Sequence, residues 1–264
     1  MGSATREALA NAVSALAELG AKADLATAED LFAAGRVVAD SAQLRAIVSD
    51  PSADPQGKAE LVKRVFAQLS PGAVSLLSTV AAQRWSRQRD VLSAIEELGI
   101  RSIATSAPAG TDVEGELFTF GVAVTSNAEL ELALRSKLAD PAQKAALVDR
   151  LLAGKASAQT EAIVRQLVLQ PRGRTIREAL RESARIVADQ SGHSIATVTS
   201  ARALPAAQLA QLQTVLSAKY GKRLKINEIV DAAVIGGVRV QVGDDVIDGS
   251  ISRRINDLRL QLVG

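Results

Sequence analysis

Three aspartates and four glycines crowd one short stretch, from Gly236-Gly237 through Gly243-Asp244-Asp245 to Asp248-Gly249. Carboxylates this close together could hold a hard cation, and glycines beside a strand could cradle a phosphate. Neither pattern closes. Asp244, Asp245 and Asp248 lack the alternating oxygen ligands and the closing glutamate of a calcium loop. The glycines fit neither GxGxxG nor GxxxxGK(S/T), and they precede a strand instead of opening a helix. They read as turn-makers. Gly236 and Gly237 suit a bulge or a tight approach to a strand, Gly243 suits a hairpin turn, and Asp248 and Gly249 suit the turn into a last helix.

The remaining candidates thin out quickly. His193 is the sole histidine and stands beside Gly192 in a polar loop, with no second histidine and no serine-nucleophile context, so it reads as a surface residue. The chain has no cysteine, which excludes disulfides, thiolate chemistry and cysteine zinc sites. No catalytic, metal-binding or cofactor-binding residue is assigned, and no cofactor is expected. Trp85 sits within Arg84-Trp85-Ser86-Arg87-Gln88-Arg89 and admits two readings: a cation–π or partner-facing anchor, or packing at a helix end. The basic runs Arg84–Arg89 and Arg172–Arg177 read as solvated helix faces, each able to meet an acidic partner.

The elements around the glycine stretch are a strand, a turn, a return strand and a capped helix. Val238, Val240 and Val242 alternate with Arg239 and Gln241 at the period of a half-buried strand. Gly243-Asp244-Asp245 turns the chain into Val246-Ile247. Ser250 then caps a helix whose apolar stripe is Ile251, Ile255, Leu258 and Leu262, the candidate partner-binding residues. That stripe either packs on the hairpin or receives a partner helix. Upstream, Ser194–Ser200 reads as a strand, Pro205–Tyr220 as a helix with Leu209, Leu212, Val215 and Leu216 on one face, and Leu224–Ile229 as another strand.

Residues before 193 read as helical, and they contain a duplication. A shift of 86 aligns Asp30-Leu31-Phe32 with Glu116-Leu117-Phe118, Gly35 with Gly121, Ala53-Asp54-Pro55 with Ala139-Asp140-Pro141, and Lys58-Ala59 with Lys144-Ala145. One repetition makes a doubled module, not a solenoid. Asp54-Pro55 and Asp140-Pro141 read as an N-cap followed by proline at the first helical position. Leu61, Val62, Val65, Phe66 and Leu69 make one stripe, and Leu147, Val148, Leu151 and Leu152 its counterpart. A first helix through Ala12, Val13, Leu16 and Leu19 ends near Gly20. The fold class is therefore α+β and predominantly α. Its expected parts are helical copy one at 1–104, a linker at 105–113, helical copy two at 114–192 and a small α/β domain at 193–264.

Composition narrows the function. Hydrophobic residues make up 47% but aromatics only 2%, so the core is Ala, Leu, Val and Ile, a poor match to an aromatic-walled cofactor pocket. Thirty-one basic residues against twenty-nine acidic ones, with scattered aromatics, do not resemble a nucleic-acid surface. No apolar run approaches the roughly 20 residues of a bilayer span, and charges interrupt Met1–Leu19, so a soluble protein is expected, with no direct membrane insertion.

One ordered set of residues resembles a known family. Val198-Thr199-Ser200-Ala201, Leu204-Pro205, Tyr220-Gly221, Val230-Asp231, Ile235-Gly236-Gly237-Val238 and Gly243 through Ile251 look like the C-terminal domain of the δ subunit of F-type ATP synthases, known in mitochondria as the oligomycin-sensitivity-conferring protein. Gly173-Arg174 and the spacing Pro141…Lys144 resemble the family's helical bundle more loosely. The doubled helices are similar to the long actinobacterial form, and the family's usual Tyr-Ala of the first helix is absent around Arg6–Ala10. The resemblance implies a non-catalytic stator subunit at the cytoplasmic face of the cell membrane, peripheral to it. Its bundle would bind the N-terminal segments of α subunits, and its C-terminal domain the C-terminal helix of the b subunit. The competing reading is a soluble helical adaptor or regulatory protein that shares the α/β domain. Either helical copy fits the family's bundle: copy two adjoins the α/β domain, while copy one has the leading helix.

Overall fold

A computed structural model describes residues 2–136, 140–234 and 236–249. Ser250 and the stripe Ile251, Ile255, Leu258 and Leu262 lie outside the described residues. The chain divides into two compact units, Met1–Val187 and Ala188–Gly264. The first is helical. Copy one comprises α1 (Ser3–Leu19), α2 (Leu25–Asp40), α3 (Ala42–Ser49), α4 (Pro55–Val65), α5 (Pro71–Ala82) and α6 (Gln88–Ser106). Copy two continues with α7 (Val113–Ser126), α8 (Ala128–Arg135), α9 (Pro141–Leu152), α10 (Ala158–Leu169) and α11 (Ile176–Gln190).

The duplication repeats in the capping bonds, which explains why the two copies start their helices in register. Asp54 accepts from the Gly57 amide at 2.7 Å and Asp140 from the Ala142 amide at 2.9 Å, each with proline next in the chain. Ser41 and Asn127 cap α3 and α8 through Leu44 and Leu130. Asp30 reaches across to the Ser70 amide at 2.7 Å, and its counterpart Glu116 to the Ser157 amide at 2.9 Å, tying α2 and α7 to the starts of α5 and α10. Within the α4 stripe Val62 and Phe66 are buried, but Val65 is 46% exposed. Lys58, at the head of the same helix, is buried and donates to the carbonyls of Val48, Asp50 and Gln83, and burial lowers its pKa.

Helix α6 differs from its neighbours. Leu98, Gly99, Ile100, Arg101, Ser102 and Ile103 are all buried, six consecutive residues, so this helix is enclosed on every side where its neighbours bury one stripe. It packs against α2 and against α10. It also extends into the stretch read from sequence as linker: the loop is residues 107–112, bounded by Pro108, which disfavours a helical Ala107, and by Asp112, which caps α7. Helices of both copies thereby fall within one unit.

The second unit is a four-stranded sheet in the order β2-β1-β3-β4, built from β1 (Ser194–Ser200), β2 (Leu224–Val230), β3 (Val238–Val242) and β4 (Asp245–Asp248). Strands β1 and β2 run parallel, joined by α12 (Ala206–Tyr220), while β3 is antiparallel to both β1 and β4. Leu216 of α12 packs with Ala196, Val198, Leu224 and Val240 on one sheet face. Val215 of the expected helical stripe is 57% exposed. Gly221, at φ 62°, ends the helix in the left-handed region.

Candidate functional site

The glycine–aspartate stretch shapes the β3–β4 hairpin. Gly236 and Gly237 have φ of 62° and 80°, a conformation that L side chains rarely adopt, and they bring the chain into β3. The hairpin loop is the two residues Gly243-Asp244, because Val242 pairs with Asp245. Gly243, at φ 60° in the first central position, matches the turn whose twist suits adjoining strands. Asp245 and Asp248 are therefore strand residues, the first and last of β4, where the sequence reads them as turn positions. Gly249 donates to the Val238 carbonyl at 2.9 Å and closes the hairpin end; an added Cβ there would stand 3.2 Å from that same oxygen.

Side chains brace this hairpin against α12. The Tyr220 hydroxyl donates to Asp245, which holds the end of α12 against the start of β4 and raises the tyrosine pKa. Gln213 donates to the Leu224 carbonyl at 2.7 Å, and Glu228 accepts from the Leu204 amide at 2.6 Å. Among the described residues no group of three metal-ligating side chains forms a metal cluster. His193 is half-buried, and its amide donates to the Ala188 carbonyl at 3.0 Å. The Tyr220, Gln213 and Glu228 bonds hold the hairpin, α12 and β2 in place.

The helical unit has a second polar constellation. Glu96 on α6, 4% exposed at its side chain, accepts from Arg172 at 2.6 Å and, through its other oxygen, from Arg174 at 2.9 Å. Arg172 also donates to Ser93 on α6 at 2.7 Å. Burial lowers the Arg172 pKa, and the Glu96 charge opposes that drop. A second polar seam lies alongside. Arg36 on α2 donates to the amide oxygen of Gln166, Gln166 donates to Gln170 at 2.8 Å, and Gln170 donates to the Gly35 carbonyl at 3.2 Å. Sequence reading places Arg172 and Arg174 on a solvated face and overlooks Glu96; the partners are separated by 76 and 78 residues, and no local spacing reveals such pairs. Arg84, Arg87 and Arg89 are exposed, but Arg84 and Arg87 lie in the loop between α5 and α6 and not on the helix face that the sequence reading gives them. Trp85 packs: it is 4% exposed, and its indole N–H donates to the Val80 carbonyl at 2.8 Å.

The family model described as "ATP synthase delta (OSCP) subunit" matches residues 99–262. The chain belongs to that family. It is 69% identical to the ATP synthase subunit delta of Leifsonia xyli over 264 residues, all of both chains. It is 39% identical to the namesake subunit of Streptomyces avermitilis over 239 residues, 89% of this chain and 88% of that one. A chain in the cryo-EM structure of the Toxoplasma gondii mitochondrial ATP synthase hexamer is similar at TM-score 0.37 and 17% identity, covering 64% of this chain and 95% of that one, too weak a likeness to bear on the fold. As a family member the chain is a non-catalytic subunit of the ATP synthase complex, a component of its peripheral stalk. The family match begins inside α6, at Gly99, and runs on through copy two and the α/β unit. Helix α6 thus stands before α7 of copy two as α1 stands before α2 of copy one. Among the described residues no helix is long and apolar enough to cross a membrane.

Proposed function

We propose that the chain is a stator clamp: its helical unit holds the N-terminal segments of α subunits at the catalytic head, and its α/β unit holds the C-terminal helix of the b subunit, at the cytoplasmic face of the membrane. The observation that carries this reading is the family match, which spans copy two and the α/β unit in one continuous run. The geometry favours a holding role over a reacting one. Glycine turns at Gly236, Gly237 and Gly243 fix the hairpin, and Tyr220 braces it, while among the described residues no metal-binding cluster forms. The helical spacing of Ile251, Ile255, Leu258 and Leu262 in the sequence supports them as the residues that would receive the b helix, since an amphipathic helix docks on an apolar stripe. A clamp of this kind resists rotor torque, so rotation drives the catalytic sites instead of turning the head.

The test is affinity purification of the full chain from membranes, followed by the same capture with a double substitution. Ile255→Asp with Leu258→Asp should abolish capture of b and leave capture of α intact. Removing the chain should detach the head or uncouple ATP hydrolysis from proton flow. Capture of neither subunit by the unaltered chain would sink the proposal.

A further inference from the structure

The loop between α10 and α11 sits on α6 in the way that the loop between α5 and α6 sits on α1. In copy one, Ser86 and Thr5 exchange bonds: the Thr5 amide donates to the Ser86 hydroxyl at 3.3 Å, and the Ser86 amide to the Thr5 hydroxyl at 3.0 Å. The preceding residue, Trp85, lines a pocket with Leu9 of α1. A shift of 87 carries Gln83 onto Gln170, Trp85 onto Arg172 and Arg87 onto Arg174. In copy two, Arg172 takes the tryptophan's place and bonds the hydroxyl of Ser93 on α6. The contact to the leading helix, which copy one makes through Ser86 and Thr5, copy two makes with two guanidinium groups on one buried carboxylate. The backbone is bent to deliver it. Arg172 has φ of 51°, the sole non-glycine positive φ among the described residues, and a side chain held in that region needs compensating contacts.

We infer that Glu96, held by Arg172 and Arg174 and flanked by the Arg36–Gln166–Gln170–Gly35 seam, is a lock that makes the two helical copies one mechanical body. Glu182 on α11 offers a contrast: it pairs with Arg185 three residues on, and both side chains are substantially exposed. One carboxylate thus sits in a buried network and the other in a solvated pair. Burial explains the asymmetry of effect: a carboxylate at 4% exposure loses solvation and depends on its partners, while an exposed pair is worth little. A rigid double bundle transmits a load applied to either copy, which two modules on a hinge could not do. This inference concerns the isolated chain and stands apart from the assignment of α and b as partners.

The absence of cysteine makes the test direct. Gln56→Cys on α4 and Gln143→Cys on α9, both exposed, take a spin-label pair that reports the separation of the copies. The otherwise unaltered chain should give one narrow distance distribution. Glu96→Ala should replace it with a broad one while far-ultraviolet helicity is retained. Glu182→Gln, the control at a solvated ion pair, should leave the narrow peak unchanged. If Glu96→Ala unfolds the protein, the pair Glu96→Gln with Arg172→Gln decides, because it removes the lock and leaves no carboxylate unpaired. A narrow distribution in a folded lock variant overturns the inference, as does a broad one in the unaltered chain.

Discussion

Gly237 shows how far a residue's role can be read without its neighbours. Two adjacent glycines before a β-branched alternation are turn chemistry, and turn chemistry is local, so the sequence reading and the positive φ of Gly236 and Gly237 agree. A β-branched side chain at φ 80° meets its own backbone. Gly237→Val should therefore weaken the α/β unit by about 1–3 kcal/mol, seen as about 5- to 150-fold faster amide exchange in β1 and β3. Unchanged exchange would remove the conformational requirement at that position. Glu96 marks the opposite limit. Its sequence surroundings, Ala94-Ile95-Glu96-Glu97, look like any helix with a charged face. Only the fold brings Arg172 and Arg174 to Glu96 and leaves Glu97 to its local partner Arg101. Asp248 illustrates a smaller gap: Asp-Gly signals a turn, yet the strand pairing Arg239 with Asp248 runs one step further and takes the aspartate with it.

Among elements, the helices that bury one stripe were readable and the helix buried on all sides was not. Capping residues and 3.6-residue spacing define α4 and α9 because their signals lie within a dozen residues. Helix α6 carries Arg101 and Ser102 among its buried residues, so periodicity points to an ordinary amphipathic helix and conceals its second neighbour. The crossing of α2 and α6 reveals how tightly it is held. A Cβ on Gly99 would stand 2.4 Å from Phe32 Cε1, closer than real contacts allow, and one on Gly35 would stand 3.3 Å from Ile95 Cγ2. Two opposing effects meet in Gly99→Ala. Alanine favours a helix over glycine by roughly 0.5–1 kcal/mol, while forcing a methyl into a filled crossing costs about 1–3 kcal/mol. The steric effect is the larger, since Phe32 is itself buried and has no room to retreat. The variant should lower the urea midpoint followed through the fluorescence of Trp85, and Phe32→Leu in the same chain should recover part of the loss. A midpoint at or above that of the unaltered chain would mean the crossing yields more readily than its geometry implies.

At the scale of the whole molecule, the shared helix decides where the chain can be divided. The sequence places a boundary in 105–113, where Pro108 and Gly110 interrupt the helical pattern, and the loop at 107–112 is there. Yet the loop separates copy two from its own leading helix. A chain starting at residue 107 retains α7 to α11 but loses Glu96, leaving Arg172 and Arg174 without their carboxylate, and it bares the α10 surface that packs on α6. A chain starting at residue 88 keeps α6 and the lock, and it exposes instead the α6 surface that packs on α2, including the contact of Gly99 with Phe32. Both lose apolar burial, but only the second keeps the packing of α6 on α10 and the Glu96 ion pairs; in the first, Arg172 and Arg174 are no longer covered by α6 and face water. The fragment 88–264 should therefore melt at a higher temperature than 107–264 and show cooperative unfolding by circular dichroism. Adding Glu96→Ala to the longer fragment should erase much of that advantage. If the two fragments melt alike, α6 belongs to copy one alone, and the start of the family match at Gly99 has no structural counterpart.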